Sequence, residues 1–283
     1  MRIAYQGEPG AYSEAAALRY ADHAELLACE RFEQVFAAVD QGEATHGILP
    51  VENSIGGSIH RNFDLLLEHD LPIVGEVQLV ITHNLMALPG TRLDQITRIY
   101  SHPQALAQCE RFLRALPGVA AEATYDTAGS AKLVKEQHLV GAGAIASERA
   151  AQVFGLEILQ AEIQDFSDNI TRFLVVSRQA DADAAVDKTT VVFSLPNEPG
   201  ALFKALSVFA LREIDLTKIE SRPIRGRPWE YLFYVDLPLG RHDPRCARAL
   251  VHLAEFARSL RTLGSYPSWK SRDAAPATQA ETR

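Results

Sequence analysis

Up to residue 176 the chain alternates short strand-forming runs with amphipathic helical stretches, a rhythm that admits few architectures. RIAYQ (2–6), THGILP (45–50), ITRIYSH (96–102), LVGAGAIA (139–146) and TRFLVVS (171–177) read as strands. SEAAALRYA (13–21), RFEQVFAAVDQG (31–42), SIHRNFDLLLEH (58–69), PQALAQCERFLRAL (103–116), TAGSAKLVKEQ (127–137) and SERAAQVFG (147–155) read as helices. Such alternation favours a mainly parallel sheet, because parallel neighbours need a long crossover. The run PIVGEVQLVITHNLMAL (72–88) is β-branched and lacks a helical period. It reads as extended chain joining two series, so the expectation is two α/β lobes with a cleft between them.

After the polar, alanine-rich stretch RQADADAAVD (178–187), a linker by composition, the order changes. KTTVVFSLP (188–196) is a strand and GALFKALSVFALRE (200–213) a helix. IDLTKIESRPI (214–224) and WEYLFYVDLPL (229–239) form a hairpin across IRGRP. DPRCARALVHLAEFARSLRTL (243–263) reads as one long helix and GSYPS (264–268) as a closing edge strand. The order β-α-β-β-α-β is that of a ferredoxin-like domain. The expected division is a first domain over 1–178, a second over 187–269, and a tail, 270–283, too poor in apolar residues to be ordered.

The 28 basic and 36 acidic residues leave a formal charge of −8, which argues against nucleic acid as a partner. An anionic ligand would have to be held against that field by arginines or helix N-termini. The three cysteines, Cys29, Cys109 and Cys246, are far apart and suggest neither a disulfide framework nor a thiolate metal site. The N-terminus lacks the apolar core of a signal peptide, and no apolar run approaches the ~18 residues of a membrane span. A reducing cytoplasm is the expected location.

DFSDNITRFLVV (165–176) is the richest segment: a polar loop feeds a hydrophobic strand, with Thr171, Arg172 and Phe173 at the junction. Strand ends facing a cleft are where α/β proteins place ligand contacts, although plain strand alternation also accounts for the pattern. Three loop–helix junctions, 6–14, 50–58 and 101–104, offer backbone N–H groups beside Ser13, Asn53, Ser54 and Ser101. Singly each reads as a cap; together they point to a shared anion site. GAGAIA (141–146) has the form of a dinucleotide fingerprint but lies mid-domain without a suitable acid, and small residues also suit a crowded strand. IGGS lacks the lysine of a P-loop, and the nine histidines show no metal-ligand spacing. His46, His60, His69 and His83 read as surface or cap residues; His102, beside Ser101 at a helix start, stands apart.

Taken together, PVENSIGGS, SHPQALAQC, TYDTAGSA and DNITRF resemble the prephenate dehydratases, and PNEPGALFKAL with IESRP resembles the phenylalanine-binding ACT domain attached to them. The resemblance spans roughly residues 1–270 with its motifs in order. It implies a two-lobed catalytic domain like the periplasmic ligand-binding proteins, no cofactor, no metal, and a homodimer or homotetramer. It implies catalytic roles for Thr171, Glu52, Asn53, Ser101 and Gln108, and substrate contacts by Ser54, Arg172 and Phe173. For the regulatory site it implies Gly200, Ala201 and Leu202 with Glu220, Ser221 and Arg222. The expected reaction is decarboxylative dehydration of prephenate to phenylpyruvate under phenylalanine control. Thr171 would bond the leaving oxygen, Glu52 or His102 would supply the proton, and Arg172 with a helix N-terminus would hold the retained carboxylate. The rivals are arogenate dehydratase and a non-catalytic solute-sensing module.

Overall fold

The computed structural model describes residues 1–179 and 185–274. The chain divides into two compact units: Met1–His69 with Val77–Val175, and Asp70–Glu76 with the chain from Val176 onward. The stretch 70–76 thus belongs with the C-terminal unit, although the sequence assigns all of 1–178 to the first domain.

The chain opens with β1 (Arg2–Gln6), α1 (Tyr12–Tyr20), β2 (Glu25–Cys29), α2 (Phe32–Gln41), β3 (His46–Asn53), β4 (Gly57–Ser58), α3 (His60–Glu68) and β5 (Ile73–Val80). There follow β6 (Asn84–Ala87), β7 (Arg98–Ser101), α4 (Pro103–Gln108), α5 (Glu110–Arg114), β8 (Ala120–Ala123), α6 (Thr127–Glu136), β9 (Ala142–Ala146), α7 (Glu148–Phe154), β10 (Glu157–Gln160) and β11 (Ile170–Ser177). One sheet runs β2-β1-β3-β11-β5, with β4 on β3, and a second runs β10-β6-β9-β7-β8. These are the two α/β lobes expected from the alternation. Parallel pairs β1–β2, β1–β3, β7–β8 and β7–β9 follow from the helical crossovers, whereas β6 pairs antiparallel with β9 and β10. The single glycine of β9 answers to packing: a Cβ on Gly143 would meet Leu85 Cδ1 at 2.8 Å. That is the crowded-strand reading of GAGAIA.

Several boundaries differ from the sequence reading, each for a local reason. The helix expected over 103–116 breaks at Cys109, because the Asp165 N–H takes the Gln108 carbonyl (2.7 Å) and the Asp165 carboxylate accepts from Arg111 N (3.1 Å). The extended run 72–88 is two strands with a break at Ile81–His83. The short strands β2, β8 and β10 went unread; all three are sheet edges.

The second unit carries β12 (Lys188–Ser194), α8 (Ala201–Ala210), β13 (Lys218–Pro223), β14 (Tyr231–Leu237), α9 (Pro244–Phe256), β15 (Ser259–Tyr266) and α10 (Trp269–Ala274). The sheet order β13-β14-β12-β15 is ferredoxin-like. Val191, Phe193 and Leu195 face Ala205, Val208, Phe209, Cys246, Ala249 and Leu253 of the two helices in one core. α9 stops at Phe256, and the expected helix end, 257–263, joins the edge strand, since Val191, Val192 and Phe193 of β12 pair with Thr262, Arg261 and Leu260. The tail is helical over 269–274 where disorder was expected. Asp187 accepts from Ser268 N (2.6 Å) and Ser268 Oγ (2.8 Å), and Glu76 accepts from Trp269 N (3.2 Å). Residues 180–184 of the expected linker and 275–283 of the tail lie outside the described residues.

Beneath β12 lies a buried ionic cluster. The Lys188 ammonium meets both Glu76 carboxylate oxygens (3.1 and 2.9 Å) and stands 3.7 Å from Asp236. Thr190 donates to Asp236 (2.6 Å) and shares a hydrogen bond with the Tyr266 hydroxyl (2.7 Å). Glu76, Asp236, Lys188 and Thr190 are all buried.

Candidate active site

A cavity in the first unit, about 170 Å³, is lined from both lobes. The first lobe supplies Tyr12 and Ser13 at the start of α1, Pro50 and Asn53 from β3, Ile59, and Thr171 and Phe173 from β11. The second supplies His102 before α4, then Gln104, Ala105 and Gln108 within it, and Thr127 at the start of α6; Ile81 and His83 come from the β5–β6 connection. The three junctions singled out in the sequence therefore do converge. Among the described residues lining the cavity there is no lysine, arginine, aspartate or glutamate.

The polar groups form one directed chain. The Asn53 side-chain Oδ1 accepts from the backbone N–H of Ile55 (3.1 Å) and Gly56 (2.6 Å). Backbone donors leave no choice of orientation, so the Asn53 amide nitrogen faces the other way. It donates to Thr171 Oγ1 (2.9 Å) and Asn169 Oδ1 (2.7 Å). Asn169 then donates to Gln108 Oε1 (2.9 Å), which also meets His83 Nε2 (2.9 Å). His83 Nδ1 lies 2.9 Å from the Tyr12 hydroxyl, itself 2.6 Å from the Thr82 carbonyl. Because Thr171 Oγ1 already accepts from Asn53, its own proton is left for a ligand; among the described residues no protein acceptor takes it.

Of the expected catalytic residues, Thr171, Asn53 and Gln108 stand on this cavity, and Phe173 with them. Four others stand off it. Glu52 and Arg172 neighbour Asn53 and Thr171 in their strands, and the pleat turns consecutive side chains to opposite faces. Ser101 is fully buried and donates to the Ile145 carbonyl (2.6 Å), tying β7 to β9. Ser54 donates to Asp168 O (2.7 Å) and accepts from Ile170 N (2.9 Å), stitching the loop ahead of β11. The N–H groups after Asn53 are not open to an anion, since its own side chain uses them. Sequence reading missed Tyr12, Asn169 and His83. His83 is 2% exposed, the reverse of a surface residue. The visible signal was a polar His-Asn pair inside an apolar run; Asn169 gave none.

In the second unit Gly200 precedes α8 with φ +79°, a left-handed conformation suited to glycine. Ala201 and Leu202 follow it, partly exposed. On edge strand β13, Glu220 and Arg222 share the more buried face with Lys218, while Ser221 and Ile219 face outward. β14 alone stands between β13 and β12, the strand leading to Gly200, so the two halves of the expected regulatory site lie two strands apart in the sheet.

Two α/β lobes closing on a polar set of hydrogen-bonding side chains, followed by a ferredoxin-like domain, define a small-molecule enzyme with an appended sensor-type module. The sequence model described as prephenate dehydratase matches residues 3–181, and that of the ACT domain matches 189–248. The chain belongs to the prephenate dehydratase family and is a lyase of aromatic amino acid biosynthesis. The Arabidopsis thaliana protein named arogenate dehydratase/prephenate dehydratase 2, chloroplastic, is 50% identical over 278 residues, covering 94% of this chain and 73% of the relative. Arogenate dehydratase 2 of Petunia hybrida is 51% identical, covering 95% and 72%. The solved structure of the Arthrobacter aurescens prephenate dehydratase in complex with L-Phe is 34% identical with a TM-score of 0.88, covering 98% of this chain and 93% of that one. A protein described as a quorum-quenching acylase, GqqA, is 37% identical with a TM-score of 0.86, covering 95% and 98%. Among the described residues no helix is long and apolar enough to cross a membrane.

Proposed function

We propose that this cavity converts prephenate to phenylpyruvate, with Thr171 as the hydrogen-bond donor to the departing hydroxyl. The supporting observation is the polarity of the Asn53–Thr171 bond, which leaves the Thr171 proton free to point at a ligand. In the reaction the bond from the ring to its carboxylate breaks and its electron pair enters the ring. The hydroxyl on the opposite carbon leaves with its bonding pair, and a proton drawn from solvent completes water. A donor aimed at that oxygen binds it more strongly as charge develops, which is the condition for raising kcat. An aliphatic alcohol is too weak an acid to surrender its proton near neutral pH, so Thr171 acts as a hydrogen-bond donor and not as the final source of the proton. Phe173 offers an apolar ring to the substrate's own.

Arogenate is the second reading, favoured by the names of the plant relatives. It differs in bearing an ammonium, and the lining holds no carboxylate to meet one. Prephenate is therefore expected to give the higher kcat/KM. Incubating the purified protein with each substrate and following the aromatic keto acid or amino acid decides it. Absence of turnover with both would remove the activity.

Phenylalanine is the proposed effector, held by the Gly200–Leu202 corner and by Glu220, Ser221 and Arg222. Support comes from the ACT match and from the relative solved with L-Phe. Gly200→Val should abolish the phenylalanine response and leave kcat without effector unchanged. The backbone there needs positive φ, which a β-branched residue resists by roughly 1–2 kcal/mol. An unchanged phenylalanine titration would refute the placement. The exposed apolar side chains Phe203, Leu211, Trp229 and Val251 of this unit support a homodimer or homotetramer. Sedimentation showing only monomer at working concentration would exclude it. Three free cysteines fit the reducing cytoplasm, which fractionation would check.

A further inference from the structure

The substrate brings two carboxylates, yet the cavity holds no fixed cation. Only two of the lining side chains can become cationic near neutral pH, His83 and His102. His102 is committed otherwise: its Nδ1 lone pair accepts from Gln104 N (3.2 Å) at the start of α4, and protonation there would break the cap.

His83 is placed differently. The hydrogen-bond chain that starts at the Ile55 and Gly56 N–H groups fixes Asn53, then Asn169, then Gln108, whose Oε1 is an acceptor. His83 Nε2, 2.9 Å from that oxygen, must therefore carry a hydrogen. A neutral ring has only one, so Nδ1 is then a bare lone pair. Nδ1 and the Thr82 carbonyl both lie within hydrogen-bond reach of the Tyr12 hydroxyl, which has a single proton for the two of them. One of the two contacts is left without a hydrogen. Adding a proton to Nδ1 removes the conflict: the ring donates to Tyr12, Tyr12 donates to Thr82, and every contact has one donor and one acceptor. The hydrogen-bond pattern around the ring is complete only for the imidazolium.

We propose that His83 supplies the cavity's counter-charge, taking one proton onto Nδ1 when the two-carboxylate cyclohexadienol binds. The proposal rests on the dehydratase reading of the cavity and makes His83 a binding and positioning residue. Burial lowers its pKa, so the empty site favours the neutral ring. Of the described groups around it, Asp165 alone carries a charge, and no ion pair is made with the ring. From α1 comes Tyr12, whose pKa burial raises, and from the end of α4 come Gln108 and Cys109, whose thiol is pushed up to about 12 by burial. The loop before β11 contributes Gln164 to the His83 N–H and Asp165, which is turned to Arg111 N. Among the described residues no ion pair involves His83. A bound dianion raises the pKa of the ring, and by linkage affinity then depends on pH. The sign follows: the bound pKa exceeds the empty one, so Kd is lowest below the empty pKa. It climbs about tenfold per pH unit between the two values and levels off above the bound pKa.

Two measurements test this. In the ligand-free protein labelled with ¹⁵N-histidine, His83 should show hydrogen on Nε2 and a bare Nδ1 near pH 7.5. Prephenate added to the Thr171→Ala protein, which turns over slowly, should protonate both nitrogens. Calorimetry of the same titration in phosphate and in Tris should give an uptake of about one proton per site in the window between the two pKa values. His83→Gln should abolish the uptake and flatten the pH dependence of Kd, while His102→Gln should keep both. A ring that stays neutral with prephenate bound, an Nδ1–H tautomer in the free protein, or unchanged uptake in His83→Gln each overturns the proposal. If His83→Gln does not fold, the ring spectrum of the Thr171→Ala complex decides. Turnover of prephenate by the wild type, measured first, separates failure of this inference from failure of the activity itself.

Discussion

Replacing Thr171 by alanine should lower kcat for prephenate by about 10²-fold or more, with KM changed far less. The substitution removes the one hydroxyl proton that the Asn53 bond leaves for the ligand. It removes little else: Asn53 keeps Asn169 and its backbone donors, and β11 keeps its place between β3 and β5. A loss confined to kcat marks an interaction made in the transition state and absent from the ground state. Thr171→Ser keeps the hydroxyl and should recover most of the rate, whereas Thr171→Val, the same shape without the proton, should not. Steady-state kinetics on the three variants, with circular dichroism to confirm folding, checks this. Near wild-type turnover by the valine variant would take Thr171 out of the chemistry.

The largest expected effect on stability comes from Lys188→Met. The ammonium lies between Glu76 and Asp236, both buried, and methionine fills its space without its charge. Breaking a buried ion pair by removing one partner costs about 3–5 kcal/mol, because the remaining carboxylates stay out of water uncompensated. For a unit of this size that is roughly 12–20 °C in the melting temperature. The double variant Lys188→Met, Glu76→Leu should regain part of the loss, since apolar replacement of a pair is often neutral but Asp236 stays buried without its cation. Thermal unfolding followed by calorimetry distinguishes the cases. A single variant within about 1 kcal/mol of wild type would mean that water reaches the cluster. The pair also fixes where the stretch 70–76 belongs, as Glu76 accepts from Trp269 N and Asp70 meets Arg261 at 2.9 Å.

Sequence periodicity carried the central strands and the helices, because those residues bury an apolar face that must repeat at 2 or 3.6. It did not carry β2, β8 and β10, whose exposed edge positions hold glutamate and alanine and leave the alternation blurred. It overran α9 because RSLRTL suits helix and strand alike, and only pairing with β12 decides. At the cavity, Thr171, Asn53 and Gln108 were legible through motifs, yet motif membership does not say which face a residue takes. Glu52 and Arg172 sit one pleat away from the residues beside them, and Ser101 serves a backbone carbonyl. His83 was illegible for the opposite reason: its character comes from Tyr12 and Gln108, contributed by distant segments that a linear reading cannot bring together.

A hollow lined by neutral side chains has a bearing on how the enzyme lets go. The ligand enters with two carboxylates, and decarboxylation leaves phenylpyruvate with one beside an uncharged gas. A permanent guanidinium would grip both ends of the reaction with similar strength and slow the exit. A counter-ion assembled from a borrowed proton weakens as the guest loses charge, and the proton returns to solvent with it. The departure of product is thereby written into the same chemistry that made it.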